Sequence, residues 1–150
     1  MLFGVYEFEI IRDEGGYVAA PYDFEGATQA DTWDELMTMV ADWLKVTLED
    51  YDIHGRELPT PTYGNAPRYG GTNMVFAVQA GRETIDRVTA GDAARLLGVT
   101  PARVSQMLSS GALEGWREGR NTYVTVDSVT QRLREGAHPG RPRTRPLTSA

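Results

Sequence analysis

Few residues of this chain have the types and spacing that a reaction needs. Four carboxylates near its start, Glu7, Glu9, Asp13 and Asp23, could converge on Mg²⁺ ions, as two-metal phosphodiester cleavage requires. Glu7 and Glu9, however, alternate with Tyr6, Phe8 and Ile10, and that pattern reads as the solvated face of a half-buried strand. The histidines, His54 and His138, are far apart, and the absence of cysteine excludes disulfides and thiolate zinc sites. No nucleophile–base pair is visible, and "GRETID" at 81–86 is no phosphate-cradling loop. The expectation is therefore a protein that is not an enzyme and that needs no metal or cofactor. Recognition is the class left open, and arginine and glutamine side chains in general can bond guanine and adenine edges in pairs.

Charge is divided along the chain. The net charge is −6, but residues 1–87 hold 16 acids against 6 bases, net −10, while residues 88–150 hold 5 acids against 9 bases, net +4. Every base of the second part is arginine. An acidic half and a basic half are expected to face different partners. The apolar content of 41% is enough for a core, and no apolar run is long enough to span a membrane. The first residues, "MLFGVYEFEI", lack a basic leader, so a cytoplasmic protein is expected.

Arg103 and Gln106 sit in "TAGDAARLLGVTPARVSQMLSSGAL", residues 89–113. Thr89 is placed to cap a first helix that turns Ala93, Ala94 and Leu97 inward. Gly98 stands where a tight turn needs positive φ, and Val99 plugs the corner. Thr100 caps a second helix with Pro101 at its first position, where a missing N–H costs nothing. Val104, Met107 and Leu108 are the buried side of that helix, and Gly111 ends it. Strands then follow at 113–117 and 122–126 around "EGRN", and Asp127 is placed to cap a last short helix with Val129 and Leu133. A helical hairpin with no nucleic acid is the plainer alternative.

In the first half, 4–12 alternates as a strand, "DEGG" at 13–16 is turn chemistry, and 17–20 resumes a strand. A short third strand is expected within 26–30. Thr32 and Glu35 form a capping box ahead of a helix over 33–52, with Trp33, Leu36, Met37, Val40, Leu44, Leu48 and Tyr51 as its apolar stripe. Asp34, Asp42, Glu49 and Asp50 lie off that stripe. Residues 54–72 are rich in Pro and Gly and cannot be regular; so long a connection is functional or mobile. "NMVFAVQA" at 73–80 reads as a central strand buried on both faces. The fold class expected is α+β: a small three- or four-stranded antiparallel sheet with one long helix, then a helical reader. The expected domains are 1–80 and 88–135, joined by a linker at 81–87 and followed by a disordered Pro/Arg-rich tail at 136–150.

With "AARLLGV", "GAL" and "REGR" in order, residues 88–135 resemble the MerR-like/excisionase-type winged helix-turn-helix family. The resemblance implies that the second helix enters the major groove and the wing lies along the backbone. It places Thr100, Arg103, Ser105, Gln106, Ser109 and Ser110 near base edges, and Arg117, Arg120 and Asn121 on phosphates. Arg141, Arg143 and Arg145 would be a flexible arm or a solubilising tail.

The first half resembles the HicB antitoxin family through Gly15, Gly16, Tyr17 and Val18, then Gly26, Thr28, Gln29, Asp31 and Thr32 leading into the long acidic helix, and "ELPTP" after it. It departs at "YDFEG" before the third strand, at Ala30, and in the length of 59–72. The resemblance implies a partial RNase H-like fold used for binding, whose partner is a HicA-like basic mRNA-cleaving toxin. The acids expected to meet that toxin are Glu7, Glu9, Asp23, Glu25, Asp34 and Asp42. It also implies a homodimer or larger homo-oligomer that binds an inverted repeat and represses its own operon. Two alternatives stand beside it. One is a regulator or excisionase-like protein without a toxin, with ligand near Trp33 and Trp43 unless these are core residues. The other is an active RNase H-type nuclease.

Overall fold

A computed structural model of the chain describes residues 1–136; His138, Arg141, Arg143, Arg145 and the rest of the expected tail lie outside the described residues. The fold is α+β, with antiparallel sheets and, among the described residues, four α-helices. It divides into two compact units, Met1–Ile85 and a second that begins at Asp86.

In the first unit, β1 (Leu2–Asp13) and β2 (Gly16–Pro21) form a hairpin closed by Glu14 and Gly15, with Asp13 opposite Gly16. β3 (Thr28–Ala30) pairs with β2, and β4 (Thr72–Ala80) pairs with the other side of β1, giving the order β3-β2-β1-β4. Helix α1 (Trp33–Ile53) covers one face. Its Leu36, Val40, Leu44 and Leu48 recur on one side and are fully buried against Tyr6, Phe8 and Ile10 of β1. Phe8 stands edge-on to both Trp43 and Phe76.

The capping box forms as the sequence predicts: Glu35 N–H donates to Thr32 Oγ1 at 3.2 Å, and Thr32 N–H donates to Glu35 Oε1 at 3.2 Å. Thr32→Ala is expected to cost about 1 kcal/mol. Urea unfolding measures this, and an unchanged midpoint would mean that core packing alone holds the helix start.

Several expectations are corrected. β4 is an edge strand, not a central one, and alternates between faces: Met74, Phe76 and Val78 pack on the core while Val75 and Ala77 are exposed. A continuous apolar run does not reveal which face lacks a covering layer. Trp33, at the end of the helix stripe, is 43% exposed. Glu49 is buried, where it accepts from Thr84 Oγ1 at 2.6 Å and pairs with Lys45 at 2.8 Å. Finally, 81–87 is not a featureless linker. Arg82–Thr84 forms a 3-10 turn whose Arg82 N–H donates to Asp52, and Arg87 already belongs to a strand.

The second unit starts with that strand, β5 (Arg87–Thr89), followed by α2 (Ala90–Leu97) and α3 (Pro101–Ser110). Thr89 and Thr100 cap the two helices, accepting from the N–H groups of Asp92 and Arg103 at 3.1 Å each. Gly98 takes φ of 68°, which a side chain would oppose, and lets Val99 N–H turn back to Ala94 at 3.0 Å. β6 (Gly115–Glu118) and β7 (Asn121–Thr125) form a second hairpin, and β5 pairs with β7. Ala93, Ala94, Val104, Met107, Leu113, Val124 and Val129 make the core. The cap of α4 (Val126–Gly136) is Thr125, which accepts from Ser128 N–H at 3.2 Å, and not Asp127. Leu133 is 44% exposed.

Candidate functional site

Among the surfaces that the second unit presents to solvent are one side of α3 and the β6–β7 hairpin. On α3, burial of Val104, Met107 and Leu108 turns Arg103, Ser105, Gln106 and Ser109 outward, with Thr100 and Ser110 at its ends. All six are exposed, and α3 has no carboxylate. Arg103 Nη1 lies 3.4 Å from Gln106 Oε1, so the two recognition side chains share one patch. Thr100 spends its hydroxyl on the helix cap. Arg117, Arg120 and Asn121 are exposed on the β6–β7 hairpin. Arg117 donates to Gly119 O at 3.3 Å, which holds its guanidinium over the turn. At the hairpin base Arg87 stacks on Tyr123, 5.0 Å from the ring centre, and Trp116 lies against the same ring. Arg87 is not legible as part of this face from the sequence, because a three-residue strand carries no periodicity.

The acids of the first unit do not form one surface. Glu7 and Glu9 were expected on a solvated strand face. They are 6% and 0% exposed, and the irregular segment between α1 and β4 covers them. Glu7 accepts from the N–H groups of Gly64 (3.1 Å) and Asn65 (2.9 Å) and from the Asn65 side-chain amide (2.9 Å). Glu9 accepts three backbone bonds, from Arg68 and Tyr69 at 2.9 Å and Gly71 at 2.8 Å. The long segment is thus a strap bonded across the open face of the sheet. Gly71 must be glycine, since a Cβ there would lie 2.3 Å from Ile10 O.

Both carboxyls are held below their ordinary pKa. For Glu7 the leading cause is the Asn65 N–H bond; burial opposes it, and the Asn65 side chain and Gly64 N–H add to it. For Glu9 burial pushes upward most strongly, and the N–H bonds of Gly71, Tyr69 and Arg68 with the Arg68 charge outweigh it. Asp23 also serves the strap, accepting from Thr62 N–H at 2.9 Å and Thr62 Oγ1 at 2.8 Å. Glu7 and Glu9 are therefore committed to fold bonds and unavailable to a partner. Of the six acids expected to meet a toxin, Glu25, Asp34 and Asp42 are exposed.

Among the described residues, cavities border the first unit. One of about 770 Å³ lies between the β1–β2 turn and the start of α1, and Asp13, Glu14, Asp31, Asp34 and Glu35 line it. The grouping is not legible in the sequence, because Asp31, Asp34 and Glu35 follow the Glu14–Gly15 turn by 16 to 21 residues. A second, of about 540 Å³, lies on the strap side and includes Ile11, Val18, Ala20 and Tyr69. A third, of about 710 Å³, includes Tyr22, Trp43, Tyr51, Arg56 and Arg68. Trp43 borders that cavity while also packing edge-on against Phe8 and Phe24, and Trp33 stands against Tyr17. No helix among the described residues is long and apolar enough to cross a membrane.

No protein-family model matches the chain, and no curated protein matches it. Among solved structures it is similar to a chain of a toxin–antitoxin complex from Streptococcus pneumoniae, with 20% identity and a TM-score of 0.47, over 73% of this chain and 97% of that one.

Proposed function

We propose that this protein is the antitoxin of a type II toxin–antitoxin system, with one unit for each of two partners. Met1–Ile85 is a HicB-like, partial RNase H-like domain that binds and inhibits a HicA-like ribonuclease toxin. The unit from Asp86 onward is a MerR-like/excisionase-type winged helix-turn-helix that binds operator DNA and represses the protein's own operon. The observation that carries this reading is that the charge boundary coincides with the boundary between the units. Residues 1–85 hold 15 acids against 5 bases, whereas the outward face of α3 and the β6–β7 hairpin carry Arg103, Arg117 and Arg120. An acidic unit suits a cationic RNA-binding toxin and speeds its capture. An acid-free helix beside an arginine-bearing hairpin suits a major groove and its phosphates. One such module reads few base pairs, so a homodimer on an inverted repeat, in the cytoplasm, completes the reading.

Co-expression with the adjacent small open reading frame tests it. The neighbour alone is expected to stop growth, and this chain to restore growth and co-purify with it. A harmless neighbour that forms no complex would contradict the antitoxin role. The cavity beside Trp43 favours the second reading, a ligand-sensing or excisionase-like regulator without a toxin. That reading requires operator binding whose strength follows a small ligand.

A further inference from the structure

The strap divides the open face of the sheet. It is bonded at Val5, Glu7 and Glu9, so Phe3 lies beyond it on one side and Ile11 and Asp13 on the other. Both sides expose apolar groups, and their charge differs. On the first side Phe3 is two residues from Met1, whose ammonium pairs with Glu83 and Asp52, and Val75 is opposite Glu7, which the N–H groups of Gly64 and Asn65 already occupy. The other side is a cavity of about 540 Å³ containing Ile11, Val18 and Ala20, with Tyr69 as one wall and the carboxylates of Asp13 and Glu25 at its border. Its one cation, Arg68, is committed: Nη2 donates to Pro21 O at 3.0 Å, and the guanidinium stacks 4.6 Å from the Tyr22 ring centre. Tyr69 is 68% exposed, yet Glu9 fixes its backbone, so the ring is presented from a rigid base. Asp13 and Val18 also line the acidic groove at the start of α1, which makes the two cavities neighbours around β3.

From this geometry we infer that the strap-side cavity is the docking surface for the basic toxin. An apolar side chain of the toxin seats on Ile11, Val18 and Ala20 against Tyr69, and flanking lysines or arginines meet Asp13, Glu25 and the carboxylates of the neighbouring groove. A central apolar anchor inside a charged rim is how most of the binding energy of a protein interface is concentrated. Charge complementarity selects a basic protein over a second copy of this acidic unit. The inference rests on the antitoxin reading and adds the face that such a toxin uses.

The test uses the full chain and the small basic protein from the adjacent reading frame. In titration calorimetry the double variant Tyr69→Ala/Glu25→Lys is expected to weaken binding about tenfold or more, and Val75→Lys, on the other side of the strap, to leave it unchanged. Amide exchange on the wild-type complex supplies a readout that no variant's folding can disturb: protection is expected in 16–27 and at the strap near Tyr69. Unaltered affinity in the double variant, or protection confined to β4 and the exposed face of α1, would overturn the inference while the antitoxin reading stands. Concentration-dependent protection of the same amides in the chain alone would give the cavity to a second copy and also overturn it. If the wild-type chain binds no toxin at all, the antitoxin reading itself fails and takes this inference with it.

Discussion

Glu9→Gln is expected to loosen the strap and cost about 1–3 kcal/mol in unfolding free energy, because three backbone N–H groups lose a charged acceptor. The carboxylate is fully buried beneath the strap, and a glutamine offers these donors one uncharged oxygen in its place. Gly71→Ala should loosen the same segment by a different route, pushing a methyl group into Ile10 O. The charge origin of the Glu9 effect sets its pH dependence. The carboxyl pKa is lowered in the folded state. Its contribution is therefore fully present above the ordinary glutamate range and is lost as pH falls through the lowered folded value. The stability gap between wild type and Glu9→Gln should be widest near neutral pH and close in acid, where the wild-type side chain is neutral as well. Chemical unfolding of both proteins across that range checks this. A gap that stays constant with pH would mean that shape, not charge, ties the strap.

Arg103→Ala is expected to weaken operator binding by about 1–3 kcal/mol, roughly 5- to 150-fold, and to relax preference at one base position. Arg103 is the one charged residue on α3, it is exposed, and it adjoins Gln106. Its loss therefore removes a paired contact with little structural damage. Arg117→Ala should behave differently. A hairpin arginine on phosphate weakens all sequences about equally and lowers the slope of log affinity against log salt by about one. Fluorescence anisotropy with the operator and single-base variants separates the two patterns. Uniform weakening by Arg103→Ala would move that residue from base reading to backbone contact.

Much of this fold is legible because its signals are local. The Thr32–Glu35 box, the Glu14–Gly15 turn, and the Thr89, Gly98 and Thr100 positions each act within about four residues, and each appears where the sequence predicts. The failures come from partners far away in sequence. Alternation showed that Glu7 and Glu9 share a face but not what covers it, since the covering N–H groups are 57 to 62 residues distant. The length and glycine content of 54–72 were the available signal: so long an irregular segment has many N–H groups to satisfy, and two buried glutamates on a central strand are acceptors for them. β4 looked central because Met74–Val78 is apolar throughout, yet only alternate residues reach the core. β5 was hidden because three residues give no periodicity, and pairing with β7 alone defines them. The exposed α3 set was legible from its buried counterpart, whereas the acidic groove was not, because three separate elements build it.

That two units serve two partners is tested most directly by giving the full chain and a chain ending at Ile85 to the same toxin and the same operator DNA. The shortened chain is expected to neutralise and bind the toxin as the full chain does while losing operator binding. A shortened chain that folds, as judged by circular dichroism, yet neither binds nor neutralises the toxin would contradict it. So would one that still holds the operator.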